Sequence, residues 1–276
     1  MRFVTHYKEE KMSTKTKAPQ GAVRPFGWQD KLGYAMGDMG CGFSFQLVAT
    51  YMQLFYLQYI GIEAEHYGVI ILISKIFDAI NDVVIGNLVD TKRIGHKSKY
   101  MPWIILGGIG LVGLTVMIFA PIKDIESYWI KYAWCLVSYC LWSIAYTMVN
   151  VPYGSLHSVI TDKPNERQSL STFRSIGAAL PAVIIMLILP DIVYKDKVDA
   201  AGKVIIDAVT KKPQQEFLGG TLLPVSIVMS IFAFVVLWGT TKLVKERVSR
   251  PEVSKEESPN GAKAFFSAFK SFFTNR

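Results

Sequence analysis

The chain has 276 residues, with 30 Lys and Arg against 22 Asp and Glu, a formal net charge of +8, 51% hydrophobic residues and three cysteines. The apolar content excludes an intrinsically disordered chain, and three cysteines exclude a disulfide-built scaffold. The basic excess leaves a nucleic acid or an anionic membrane open as partner, and the position of the charges decides between them.

Residues 1–31 are polar and carry seven of the basic residues. They lack the apolar core of a signal peptide and read as a disordered cytoplasmic tail. Residues 32–241 then hold six long, apolar stretches: about 33–60, 67–89, 102–121, 132–155, 171–190 and 221–241. Only five charged residues fall inside them, namely Asp38, Lys75, Asp78, Asp82 and Arg174. A bilayer core of about 30 Å needs roughly 20 apolar residues of helix, and hydrocarbon demands that every backbone polar group be paired within the helix. The prediction is an all-α integral membrane protein with six transmembrane helices in one bundle.

Alternate connections carry 21 basic residues on one side and 7 on the other. That asymmetry predicts cytoplasmic N- and C-termini in a cytoplasmic (inner) membrane. Most of the +8 charge is thereby assigned to topology, and no zinc spacing or base-reading motif supports a nucleic-acid partner. Residues 242–276 read as a cytoplasmic loop. In it Phe265, Phe266, Phe269, Phe272 and Phe273 cluster beside Lys263 and Lys270 as an interfacial amphipathic helix.

The second stretch holds the most informative residues. Asp78 and Asp82 stand four apart, one turn from each other on one helix face, and Asn81 adds an amide oxygen nearby. A charged group at bilayer depth costs roughly 3 kcal/mol on insertion scales. Two adjacent carboxylates also repel. Such a pair calls for a bound cation, a proton or a basic partner. Hard oxygen donors suit Na⁺, Li⁺ or H⁺ better than a soft metal. Lys75, three residues before Asp78, offers a purely structural pairing as the competing explanation.

In the first stretch Asp38 stands among Gly33, Gly37, Gly40 and Gly42, which permit close packing or a local bend. Arg174 opens the fifth stretch, where snorkelling to the interface is an alternative to a role in a cavity. An Asp and an Arg facing one cavity suit sugar hydroxyls, the first accepting and the second donating. The fourth stretch ends with Tyr146, Thr147, Asn150, Pro152 and Tyr153. Thr147 and Asn150 share a polar face, and Pro152 is expected to kink the helix. Trp142, Tyr146 and Tyr153 are candidates for stacking on a sugar ring or for interfacial anchoring.

The four histidines, His6, His66, His96 and His157, are scattered without metal-ligand spacing, so neither an enzyme nor a resident cofactor is expected. The expected ligands are a sugar, a monovalent cation or proton, and the bilayer.

At these positions the chain resembles the glycoside–pentoside–hexuronide:cation symporters of the major facilitator superfamily, the melibiose permease group. The resemblance rests on Phe77-Asp-Ala-Ile-Asn-Asp82, Tyr34-Ala-Met-Gly-Asp38, Tyr146-Thr-Met-Val-Asn-Val-Pro-Tyr-Gly-Ser155 and Ser171-Thr-Phe-Arg-Ser175. Gly86, Asp90 and Gly95 fall in what looks like the family's cytoplasmic loop motif. The resemblance implies that Asp78, Asn81, Asp82 and Thr147 form the cation site. It implies that Asp38 and Arg174 bind sugar, with Asn150 and Tyr146 beside them. Lys75, Gly86, Asp90, Gly95 and Pro152 would be structural or gating residues. Melibiose-type members carry Asp, Trp and Lys where Asn150, Gly154 and Gly37 stand, which argues against a galactoside. Alternating access in this superfamily uses two six-helix halves. The chain is therefore expected to be an N-terminal half that needs a C-terminal half or a second copy. The competing class is a non-transporting fragment, membrane sensor or subunit.

Overall fold

A computed structural model describes residues 24–95, 98–199, 202–207 and 212–248. Most of the tail, the loop-motif residues His96 and Lys97 and the Phe-rich segment after residue 248 lie outside them.

Six long helices account for most of the described residues: α1 Trp28–Leu54, α2 Ala64–Thr91, α3 Met101–Ile118, α4 Tyr128–Ile160, α5 Pro164–Val193 and α6 Leu222–Leu243. Each expected stretch has become one helix. α1 runs on through a π-helical turn, Phe55–Ile60, and stops at Gly61, whose φ of 82° favours a residue without a side chain. Pro102 and Pro164 sit in the first turn of α3 and α5, where no amide donor is missed. Pro152 lies inside α4 without ending it; the helix stays continuous for 33 residues. Several helices overrun the expected boundaries, α5 and α4 most of all, because their polar ends keep bonding beyond the apolar core. Segments Met101–Ile118, Tyr128–Ile160, Pro164–Val193 and Gly219–Leu243 are long and apolar enough to cross a membrane. α1 and α2, which hold Asp38, Lys75, Asp78 and Asp82, fall short of that measure.

Between α5 and α6 the expected loop contains a short hairpin. Strands β1 (Tyr194–Asp196) and β2 (Gln215–Phe217) pair antiparallel, with Tyr194 opposite Phe217.

α1 packs on α5 and α6, α3 on α4 and α6, and α2 on α4. Small residues set the closest approaches. Gly177 of α5 rests on the backbone of Ala35, where a Cβ would collide with main chain. At Gly107 of α3 a Cβ would stand 2.7 Å from Val149 of α4. Between these contacts Tyr34, Phe43, Leu47, Ile104, Tyr153 and Leu156 are fully buried. The outer faces remain apolar: Leu72, Ile76 and Ile80 on α2, and Met186 and Leu187 on α5, are exposed.

One end of the bundle is tied by charge. Asp30 in the first turn of α1 is completely buried, so the packed bundle includes residues of the expected tail. Its carboxylate accepts from Arg24 at 2.8 Å and from Arg247 at 2.9 Å and 3.1 Å. Arg247 also donates to the carbonyl of Ile160 at the end of α4. Next to it Glu246 accepts from the Ser98 hydroxyl at 2.5 Å and from the Lys99 and Tyr100 amides. Lys99 in turn donates to the Asp90 carbonyl at 3.0 Å, and Arg93 donates to the Gly95 carbonyl at 3.0 Å. A Cβ on Gly95 would run into the Pro102 ring, so this glycine lets the α2–α3 connection lie on α3. Gly86 faces open space and makes no such approach.

Candidate functional site

Asp78, Asn81 and Asp82 come from consecutive turns of α2, and the adjoining face of α4 supplies hydroxyls. The Ser143 hydroxyl donates to Asp78 Oδ1. One turn on, the Thr147 hydroxyl donates to Asp82 Oδ1 at 2.9 Å. One turn back, Ser74 and Cys140 approach at 3.8 Å. The three contacts ascend together in both sequences, so α2 and α4 run parallel with their polar faces in register. Lys75 does reach Asp78, with Nζ 3.5 Å from Oδ2, but its side chain is 64% exposed. At that exposure the pair is worth little, so it does not explain why two carboxylates stand here. Asn81, only 8% exposed, has a side-chain nitrogen without a hydrogen-bond partner among the described residues. A buried amide normally has its polar atoms paired.

Asp38 and Arg174 form a second centre. Arg174 Nε donates to Asp38 Oδ2 at 3.1 Å, joining α1 to α5. The guanidinium lies over the Tyr153 ring, 5.3 Å from its centroid. Tyr153 stacks on Tyr34 at 4.7 Å and donates to the Tyr34 carbonyl at 2.6 Å. Arg174 is therefore held inward by a carboxylate and an aromatic face. The bond uses one guanidinium nitrogen and one carboxylate oxygen, so both groups retain further polar atoms for hydroxyls. A Cβ on Gly37 would strike the Tyr153 ring. The glycine is what lets this stack sit against α1.

The aromatic candidates separate. Tyr153 is fully buried and supports Arg174, so it presents no face to a ligand. Trp142 is 4% exposed, sandwiched by Tyr139 and Tyr146 at 5.8 Å and 5.4 Å, with its indole N–H on Ser44. Tyr146 is half-buried and meets Phe45 at 5.4 Å, and Phe45 is exposed. The accessible rings are thus Tyr146 and Phe45. Asn150 lies on α4 with partial exposure, one turn from Thr147. Phe45 and Ser143 escape sequence reasoning that follows charge alone. Helical spacing does point to them: Phe45 is two turns from Asp38, and Ser143 is one turn from Thr147.

The bundle thus combines four segments apolar enough to cross a membrane with two polar centres, one joining α2 to α4 and one joining α1 to α5. Residues 33–276 match the family described as MFS/sugar transport protein. The chain is 32% identical over 252 residues to the uncharacterized symporter YjmB of Bacillus subtilis, covering 90% of this chain and 49% of that protein. It is 30% identical over 226 residues to the inner membrane symporter YicJ of Escherichia coli, covering 81% and 44%. It is 29% identical over 231 residues to the isoprimeverose transporter of Lactiplantibacillus pentosus, covering 83% and 44%. The chain belongs to the glycoside–pentoside–hexuronide:cation symporter family of the major facilitator superfamily. It spans about half the length of these curated relatives.

Proposed function

We propose that the chain supplies the cation site and part of the sugar site of a sugar:cation symporter in the cytoplasmic membrane. In this reading all six helices span the bilayer, both ends are cytoplasmic, and a second six-helix half, or a second copy, completes the cavity. The basic-residue asymmetry supports the orientation. The observation that carries the reading is the paired arrangement on α2 and α4. Two carboxylates one turn apart face two hydroxyls one turn apart, beside a buried amide.

A monovalent cation between Asp78 and Asp82 would cancel their repulsion, with Asn81 and Thr147 as neutral oxygens. Asp38 and Arg174 would bind sugar hydroxyls, Asn150 would add a neutral donor and acceptor, and Tyr146 would offer its ring. α4 carries Thr147 at one centre, and Tyr146 and Asn150 at the other. Binding at the two centres is therefore mechanically linked, and the coupling between them must be equal in both directions.

The test is binding by the purified chain in lipid nanodiscs, with a set of labelled glycosides and pentosides, at stepped Na⁺ and Li⁺. The expected result is that cation raises sugar affinity and sugar raises cation affinity by the same factor. Affinities independent of each other would reject the reading.

A further inference from the structure

Ser143 is 5% exposed and occupies the middle rung between α2 and α4. Its position on α4 relative to Asp78 repeats that of Thr147 relative to Asp82, four residues on in each helix. Serines in an apolar helix commonly bond the carbonyl one turn back. Ser143 instead spends its proton on the carboxylate of a neighbouring helix. That places a fixed, neutral oxygen directly against Asp78. Lys75, the only other described group bonded to Asp78, stands on its other oxygen and is mostly exposed.

Building on the cation-site reading above, we infer that Ser143 is a cation ligand that sets the preference between Na⁺ and Li⁺. A hydroxyl has one proton and two lone pairs. Rotation about its Cβ–Oγ bond turns the same oxygen from a donor to Asp78 into a ligand, without moving either helix. With it the donor set is two carboxylates, the Asn81 amide and two hydroxyls, all hard oxygens. Selectivity between hard cations follows from ligand number and cavity size. Na⁺ is the larger ion and gains more from a fifth oxygen, whereas Li⁺ is satisfied by four. A serine that merely propped Asp78 in place would affect both ions alike. A serine that ligates must affect Na⁺ more.

Titration calorimetry of the 276-residue chain in nanodiscs, with NaCl and LiCl against choline chloride, separates these cases. Ser143→Ala is expected to weaken Na⁺ binding about tenfold or more. Li⁺ binding falls by clearly less, so the Na⁺/Li⁺ ratio shifts toward Li⁺. Ser143→Thr keeps the oxygen and is expected to restore the wild-type ratio; unfolding temperatures of both variants report that the bundle is intact. Asp78→Asn is the control for the site itself and is expected to abolish binding of both ions. If Asp78→Asn abolishes binding while Ser143→Ala leaves the ratio unchanged, the role of Ser143 is overturned and the site stands. If Asp78→Asn leaves binding unchanged, or the wild-type chain binds neither ion, the site reading falls and this inference falls with it.

Discussion

Arg247, just beyond the last helix, closes on Asp30, in the first turn of the first, at 2.9 Å, with the carboxylate completely buried. The two residues are separated by nearly the whole described chain. Their bond, with those of Arg24 and Glu246, draws the start of α1, the α2–α3 connection, the end of α4 and the exit from α6 into one knot.

Removing one partner of a buried ion pair leaves an unpaired charge, which costs about 3–5 kcal/mol. Asp30→Ala strands two arginines and is expected to lower the unfolding temperature of the chain in detergent by many degrees. Lys75→Ala breaks an exposed pair and is expected to shift stability by about 1 kcal/mol or less. Equal losses in the two variants would show that the Asp30 knot contributes nothing special.

Thr147→Val keeps the shape of the side chain and removes the donor to Asp82. Losing the partner of a ligand carboxylate typically costs about 10–100-fold in metal affinity, and the same change removes the Thr147 oxygen as a ligand, so a loss of at least that size in Na⁺ affinity is expected. Asp82→Asn is expected to remove Na⁺ binding altogether while sugar binding persists in weakened form. Retention of Na⁺-dependent sugar affinity in both variants would disconnect this face of α2 from coupling.

At the second centre Arg174→Lys retains charge but loses the planar fork and the stacking on Tyr153. A charge-assisted hydrogen bond contributes about 1.5–3 kcal/mol, so Asp38→Asn and Arg174→Lys are each expected to weaken sugar binding roughly 10–100-fold. Cation affinity measured without sugar should stay near wild type. A variant that lost cation binding to the same extent would argue for general unfolding.

The glycines divide in a way that stability measurements can read. Gly177→Ala pushes a methyl group into the Ala35 backbone, and overpacking of this kind costs typically about 1–3 kcal/mol. Gly154 of α4 opens on free space. Gly154→Ala is expected to be neutral or stabilising by up to about 1 kcal/mol, because alanine loses less backbone freedom in a helix. Thermal unfolding of the two variants side by side checks the pair.

The six helices were legible because a charge in a long apolar run is rare, so the gaps between charges mark the spans. Their ends were not, because helix bonding continues through polar residues such as Ser158 at the end of α4 and Glu166 at the start of α5. The carboxylates Asp38, Asp78 and Asp82 announced themselves by the cost of placing them in apolar helices. Ser143 did not, since a serine costs little there and only the neighbouring helix reveals which way its proton points. Tyr153, open in the sequence between stacking on a ligand and anchoring at the interface, is hidden for the same reason. An aromatic ring reads alike from sequence whether it meets a ligand or, as here, supports an arginine. The hairpin at β1 and β2 left no apolar alternation strong enough to separate it from a loop.

The rungs between α2 and α4 also act as a joint. A single contact between two parallel helices is a hinge, about which they still rotate and slide. Contacts at successive levels behave as bolts through two plates, and both freedoms are lost. Whatever motion the bundle makes, α2 and α4 are expected to travel through it as one beam.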